Sequence, residues 1–154
     1  MNSVITLHPI GTVRNSRQAI EDDHWGGLVS TIELNDSVGA DALDHIEDFS
    51  HAEVIFAFHR VDEYKIESGA RHPRNNPDWP KVGILAQRGK NRPNRLGLTV
   101  VRIIQHVGTA LVVEGLDAVA GTPVLDIKPV MKEFLPRGEV HQPRWATELM
   151  QNYW

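Results

Sequence analysis

Residues 97–105 (GLTVVRIIQ) and 109–115 (TALVVEG) decide the fold of this sequence. Both stretches are rich in valine, isoleucine and leucine, which suit a pleated, half-buried surface. The residues between them, His106-Val107-Gly108, leave room only for a tight turn, so the two stretches predict an antiparallel hairpin. A parallel pair would need a crossover of a dozen or more residues.

Further strands are predicted on both sides of this hairpin. They cover residues 4–13, 28–34, 49–61 and 82–87, and 123–127 is a short apolar segment between two prolines. Pro9 cannot donate to a ladder, so the first strand is predicted at an edge or bulged. Short helices are expected over residues 40–46 and 143–154. Because most gaps are too short for helical crossovers, the sequence predicts one mostly β domain, a single β-barrel over residues 1–154.

Composition excludes several classes of protein. None of the 154 residues is cysteine, which rules out disulfides, iron–sulfur clusters, cysteine-based zinc sites and thiol catalysis. Apolar runs such as residues 54–58 are far shorter than the ~20 residues of a membrane helix, and no secretory signal opens the sequence. We therefore expect a cytoplasmic protein that does not bind membranes. No glycine-rich phosphate loop follows a strand, so a Rossmann-type nucleotide site is not expected.

A metal site is not expected either. His51 and His59 lie eight residues apart on one predicted strand, which separates them by about 26 Å. They cannot bind one metal ion in a regular strand, and the set His45, His51 and His59 is a poor candidate for the same reason.

Positive charge is concentrated in one segment of a chain whose net charge is −4. Residues 71–102 hold eight Arg or Lys and one acid, and residues 88–95 form a basic loop between two strands. Such a loop either binds an anion locally or is a solvated hairpin loop, and composition leaves both interpretations open. Residues 62–80, with three prolines, form a long connection of a kind that is usually functional or disordered.

Residues 116–129 (LDAVAGTPVLDIKP) form a second candidate site. The aspartates of such a segment can hold ribose or amine groups while its backbone reads a base edge. The alternative is a pair of turns around a short strand. In that case Asp126 and Lys128 share a face and form an exposed ion pair.

Taken together, three blocks resemble the TsaA-like family, whose best-known members methylate N6 of threonylcarbamoyladenosine at position 37 of tRNA. The blocks are F-S-H and F-H in residues 49–59, G-I-L-A-Q-R with R-P-N-x-x-G-L in 83–98, and L-D-x-x-x-G-T-P-V-L-D-I-K-P in 116–129. Residues 9–16 (PIGTVRNS) are similar to the family's opening. The resemblance covers residues 8–130. It implies a non-Rossmann β-barrel methyltransferase that binds S-adenosylmethionine, forms a homodimer and acts on tRNA.

The resemblance also implies which residues carry the function. The residues that correspond to cofactor contacts are Asp23, His24, Trp25, His59, Arg60, Arg88, Leu98, Asp117, Ala118, Val119 and Ala120. From the charge of the basic loop itself, and not from the resemblance, the residues expected to bind substrate or RNA are Lys90, Arg92, Asn94 and Arg95. Within the loop we expect Arg88 to face the pocket, and Lys90 and Arg95 to be peripheral and to contact phosphate.

For catalysis, we assign Asp126 as the base that takes a proton from the acceptor nitrogen, or as the group that orients that acceptor. Lys128 is assigned to tune Asp126 or to contact phosphate. The homodimer is suggested as well by residues 62–80, which a monomer of this size has little surface to pack against.

Two other functions stay open. One is a small-molecule methyltransferase on the same fold, and the other is a non-catalytic sensor that binds S-adenosylmethionine or a nucleotide. The small-molecule methyltransferase is favoured by the acidic character of the chain outside residues 71–102. It is favoured also by the lack, expected here, of the second C-terminal domain that larger tRNA-modifying members carry.

Overall fold

A closed barrel of six antiparallel strands forms the body of the protein, described for residues 3–154 by a computed structural model. In chain order the elements are β1 (Gly11–Arg14), β2 (Val29–Leu34), β3 (His51–Ala57), β4 (Ala70–Arg71), β5 (Val82–Gly83), β6 (Leu96–Val107), β7 (Ala110–Glu114), β8 (Pro123–Pro129) and α1 (Arg144–Leu149). The order around the barrel is β1-β2-β7-β6-β3-β8, and β4 and β5 form a separate two-stranded sheet. The predicted mostly β barrel, built on the β6–β7 hairpin, is confirmed.

Alternation along each strand fills the barrel interior. On β3 the side chains of Ala52, Val54 and Phe56 are buried, while those between them are partly exposed. Buried aliphatic residues from the other five strands complete this core. Fully burying one such side chain contributes about 1.5–3 kcal/mol, so the interior is the main source of stability.

Gly97 makes room for the largest side chain in the barrel. A Cβ atom at position 97 would lie 2.4 Å from ring carbons of Phe56. The Phe56 ring packs edge-on against Phe58, with their centroids 5.3 Å apart. Glycine at this point of β6 therefore admits an aromatic ring into the core, although glycine weakens strands elsewhere.

The first predicted strand is much shorter than expected. The strand covers Gly11–Arg14 instead of residues 4–13, and Val4 and Ile5 are exposed. From Gly11 onward the chain pairs with both β2 and β8. Pro9 has no N–H with which to extend the ladder, which explains why pairing stops there.

Two further boundaries differ from the prediction. The helix expected over residues 40–46 is a series of turns that leads into a 3-10 helix, Ile46–Asp48, because His45 adopts a left-handed φ of 67°. The strand expected over residues 82–87 ends at Gly83. There the Gln87 side chain donates to the carbonyl of Val82 and folds the chain back.

Other predictions agree with the structure. The apolar segment 123–127 lies within β8, and a short helix, α1, follows Pro143. Within residues 3–154, none of the helices has the length and apolar character needed to cross a membrane.

The long connection 62–80 packs on its own chain. Gly69 accepts a hydrogen bond from the amide of Ile84 at 2.8 Å, and the Trp79 indole donates to Glu148 of α1 at 2.9 Å. One reason given for a homodimer therefore does not hold, because the monomer supplies this segment with a surface.

Candidate functional site

Arg17 joins two of the predicted cofactor segments, 23–25 and 117–120. Its guanidinium donates to the carbonyls of the first two residues of 23–25 and lies 4.1 Å from the centre of the Trp25 ring. Its own carbonyl accepts a hydrogen bond from the amide of Ala120 at 2.8 Å. One residue thus holds the two segments side by side.

The long connection also reaches this site. The guanidinium of Arg74 forms an ion pair with the carboxylate of Asp23, with N–O distances of 2.8 and 3.3 Å. Both side chains are about three-quarters buried, which reduces solvent screening of the pair. Asp23, predicted to contact the cofactor directly, therefore has a structural partner within the chain.

Trp25 is almost fully buried, with 4% of its surface exposed. It lies beneath Arg17, and its amide donates to the carbonyl of Tyr153 at 2.8 Å. The amide of His24 donates to Asn152 in the same way, at 2.9 Å. Residues 23–25 are thus held by the C-terminal part of the chain, and His24 is kept at a left-handed φ of 66°.

Asp117 is a meeting point of three elements. One carboxylate oxygen accepts a hydrogen bond from Thr99 on β6, and the other accepts one from the hydroxyl of Tyr153. Burial, and then the nearby carboxylate, raise the pKa of Tyr153 above its usual value, so it stays a donor at neutral pH. The positive charges of Arg88 and Arg74 act on this pKa in the opposite direction.

Ala118 and Val119 enter the site through their backbone only. Their side chains are buried, and Ala118 belongs to the barrel core. The Ala118 carbonyl accepts a hydrogen bond from the side-chain amide of Asn15 at 2.9 Å, and the Val119 carbonyl accepts one from the hydroxyl of Thr122 at 2.7 Å. This network fixes the 117–120 segment over one end of the barrel.

The structure brings Arg88 and Leu98 together. The Arg88 guanidinium donates to the Leu98 carbonyl, and the Leu98 side chain points outward from β6. Because Thr99, the next residue, holds Asp117, this pair lies beside the 117–120 segment.

His59 and Arg60 approach the cluster from the end of β3. The Arg60 guanidinium donates to the Gln18 carbonyl at 2.6 Å, next to Arg17. The His59 ring lies 3.9 Å from where a Cβ atom of Gly121 would be. Burial, and then the positive charge of Arg60, lower the pKa of His59 below its usual value of 6.5, which favours a neutral ring at physiological pH.

The predicted RNA-binding residues divide into two groups. The guanidinium of Arg92 donates to the Gln87 carbonyl at 2.7 Å, and that of Arg95 donates to the Val61 carbonyl at 2.8 Å, so both hold the loop in shape. Arg95 is thus less peripheral than expected. Asn94 is exposed at a left-handed φ of 63°.

Lys90 lies in a different setting. It lines a shallow polar hollow formed with the long connection; the other lining residues are Lys65, Glu67, Arg71, Asn75 and Asn91. This hollow has three cations and one acid, so it suits an anionic group.

Asp126 and Lys128 form an ion pair on the outer wall of the barrel, at 3.2 Å, with both side chains about half exposed. This is the exposed pair that the two-residue period of a strand predicts. Asp126 lies opposite Ile55 on β3, which lies opposite Leu98 on β6. These three residues share one outward row, which puts Asp126 about 10 Å from Leu98 at the usual strand spacing.

Sequence reasoning missed Arg17, Arg74 and Tyr153. Arg74 and Tyr153 have partners far away in the sequence, at positions 23 and 117, and Arg17 joins residues 23–25 to the distant position 120. No local motif signals such contacts. Within residues 3–154, the structure contains no group of three His, Asp or Glu side chains that could hold a metal ion.

A family model described as the tRNA-methyltransferase O N-terminal domain matches residues 17–134. This chain belongs to that family. The expected family is thereby confirmed, and the matched region contains every strand of the barrel except β1.

Relatives and solved structures agree with this assignment. A human tRNA (adenine(37)-N6)-methyltransferase is 35% identical over 111 residues, 72% of this chain and 25% of the human protein. A probable S-adenosyl-L-methionine-binding protein of Methanothermobacter thermautotrophicus is 33% identical over 132 residues, 84% of this chain and 92% of that protein. The crystal structure of TrmO from Pseudomonas aeruginosa superposes with a TM-score of 0.72 at 26% identity, covering 90% of this chain and 62% of the other. The chain thus spans a quarter of the human relative and under two thirds of the crystallised one.

Proposed function

We propose that this chain binds S-adenosylmethionine and transfers its methyl group to N6 of the modified adenine at position 37 of tRNA. The observation that carries this proposal is the convergence of segments 23–25 and 117–120 with Arg88, whose guanidinium donates to Leu98, the residue before the Thr99 that holds Asp117. These are the segments that the family resemblance assigns to the cofactor. The names of the human and Methanothermobacter relatives support the substrate and the cofactor respectively.

The side chains of this cluster suit the chemistry of that cofactor. A carboxylate offers about four acceptor positions, and two of those on Asp117 are used within the chain. The others can accept from ribose hydroxyls or an ammonium group. Arg88 offers donors for a carboxylate, and the outward Leu98 side chain offers an apolar contact.

When bound, the cofactor supplies a methyl group on a positively charged sulfur that leaves with the electron pair of the broken bond. The protein's part is to hold the acceptor nitrogen in line with that carbon, which contributes of order 7–11 kcal/mol in well-oriented reactions. We assign Asp126 to take the proton of the acceptor nitrogen or to orient that nitrogen, because it lies on the same outward row as Leu98. Lys128 fixes the Asp126 carboxylate.

For tRNA, Lys90 is the best-placed residue of the basic loop. It shares its hollow with Lys65 and Arg71, and lysines of this kind bind phosphate as point charges. Arg92 and Arg95 contribute by keeping the loop folded.

A homodimer is proposed as well, because Leu96, Leu98 and Val100 point outward from β6 and are 39%, 45% and 49% exposed. Continuous apolar surface of this kind marks interfaces.

The test is methyl transfer from labelled cofactor. Purified protein is incubated with bulk tRNA from a strain that lacks the endogenous enzyme and, separately, with the small-molecule fraction of the same cells. We expect label in tRNA at the modified adenine of position 37. Label only in the small-molecule fraction would favour a small-molecule acceptor, and cofactor binding without transfer to either fraction would favour a sensor.

A further inference from the structure

Residues 152–154, here called the tail segment, lie against both predicted cofactor segments. The carbonyls of Asn152 and Tyr153 accept hydrogen bonds from the backbone amides of His24 and Trp25, so two backbone hydrogen bonds join the tail segment to residues 23–25. The contact is close, because a Cβ atom at Gly26 would lie 2.8 Å from the carbonyl carbon of Trp154. The tail segment is therefore docked on the site by backbone contacts.

The side chain of Tyr153 extends this docking to the second segment. Its hydroxyl donates to Asp117, whose other oxygen is held by Thr99 of β6. Hydrogen bonds to both oxygens restrict rotation of an Asp carboxylate more than a bond to one oxygen does. Thr99 fixes one edge from the rigid barrel, and Tyr153 fixes the other from the tail segment.

The helix before the tail segment anchors it to the long connection. Glu148 of α1 accepts from the indole of Trp79 at 2.9 Å. Arg74 of the same connection binds Asp23. The long connection, the tail segment and residues 23–25 are thus tied together around the site.

We propose that the tail segment is a wall of the cofactor site and that Tyr153 is a positioning residue that orients Asp117 for the ligand. This inference rests on the proposed function in that the ligand is S-adenosylmethionine. Tyr153 acts through Asp117 and not on the reacting atoms. Ligand binding and tail docking then stabilise each other, because the ligand binds an orientation of Asp117 that the docked tail provides.

A tail segment that forms a wall of the site should respond to the ligand differently from a tail that is loose or that blocks the site. Exchange of the His24 and Trp25 amides with solvent reports tail docking directly, since both amides donate to the tail segment. We expect S-adenosylmethionine, or its demethylated product, to slow the exchange of both. A tail that blocks the site would be displaced by the ligand, and exchange would then speed up.

Substitution provides the second measurement. By isothermal titration we expect Tyr153→Phe to raise the dissociation constant of the cofactor about five- to tenfold, because a hydrogen bond to a charged acceptor is lost. In an Asp117→Asn background the same substitution should change it less than twofold, because the group that Tyr153 positions is altered. Tyr64→Phe is the matched control, since Tyr64 is 82% exposed on the long connection.

The outcomes separate the two proposals. A parent protein that binds neither form of the cofactor overturns the proposed function and this inference with it. A parent that binds, with Tyr153→Phe binding equally well or with faster amide exchange on ligand addition, overturns this inference alone. Should Tyr153→Phe fail to fold, amide exchange in the parent protein decides the question.

Discussion

The guanidinium of Arg17 lies over the ring of Trp25, 4.1 Å from its centre, and at the same time donates to the carbonyls of Asp23 and His24. A planar cation stacked on a buried indole is a stronger contact than an exposed pair, because little water competes for it. The shape of residues 23–25 therefore depends on one side chain six residues upstream of them.

We expect Arg17→Ala to lower the free energy of unfolding by about 2 kcal/mol, because a stacked cation and two hydrogen bonds are lost. It should also weaken cofactor binding, since Arg17 holds both segments of the site. Urea unfolding and isothermal titration measure the two effects. Arg14→Ala is the control: that side chain is 70% exposed, and its ion pair with Glu33 is long at 3.8 Å. Equal losses in the two variants would show that the stacked geometry has no special weight.

The basic loop should separate cofactor binding from RNA binding. We expect Arg88→Ala to weaken cofactor binding about tenfold or more, because a charge-assisted hydrogen bond contributes about 1.5–3 kcal/mol. Lys90→Ala should leave cofactor affinity intact, weaken tRNA binding, and flatten its salt dependence by about one counterion. Titrations of cofactor and of tRNA at two salt concentrations provide the measurement.

In the same experiment Arg95→Ala should behave differently from Lys90→Ala. Its guanidinium holds the Val61 carbonyl, so its removal should lower stability as well as tRNA affinity. Equal loss of cofactor affinity in Arg88→Ala, Lys90→Ala and Arg95→Ala would mean that the loop acts as one structural unit.

Stability should depend on pH through His106 and Glu47, whose side chains are 2.8 Å apart. Hydrogen bonding to Glu47 raises the pKa of His106 above its usual 6.5, so the stabilisation from His106 is complete below about pH 6.5 and is lost as the pH rises through the folded value. Backbone and His106 hydrogen bonds lower the pKa of Glu47 below 4.5, so its stabilisation is present above about pH 4.5 and is lost in acid. Glu47→Gln should therefore cost most between pH 4.5 and 6.5 and least at pH 9. Urea unfolding of both proteins at pH 5.5, 7 and 9 checks this, and a difference independent of pH would refute it.

Gly97→Ala should destabilise the barrel by about 1–3 kcal/mol, since the new methyl group meets the buried Phe56 ring. Gly83→Ala is the control, because nothing lies within 4 Å of a Cβ at that position. Thermal unfolding compares the two. A parent-like midpoint for Gly97→Ala would mean that the ring moves without cost.

The sequence predicts the barrel well because its evidence is local. Alternation over β6 and β7, and a turn too short for a crossover, are visible in neighbouring residues. The exposed Asp126–Lys128 pair follows equally from the two-residue period of a strand. The early end of β1 and the break after Gly83 were missed because they depend on which partners each strand has and on one side-chain amide, that of Gln87.

The candidate site is less predictable for the same reason. Asp117, Arg88 and residues 23–25 were identified by resemblance to a family, whereas Tyr153 and Arg74 were not. Their contacts join residues 36 and 51 positions apart along the chain. Local sequence patterns contain no information on such pairs, because the two residues of each pair come into contact only when the chain has folded.

The closure of the barrel has a consequence for how the protein is made. β1 must pair with β8, and the register joins Gly11 to Val124. During synthesis the ribosome releases β1 more than a hundred residues before its second partner exists. Until then one side of β1 and one side of β3 offer unpaired backbone groups to any neighbouring chain. Such long-range closure is slow, so the growing chain is most prone to aggregate just before β8 emerges.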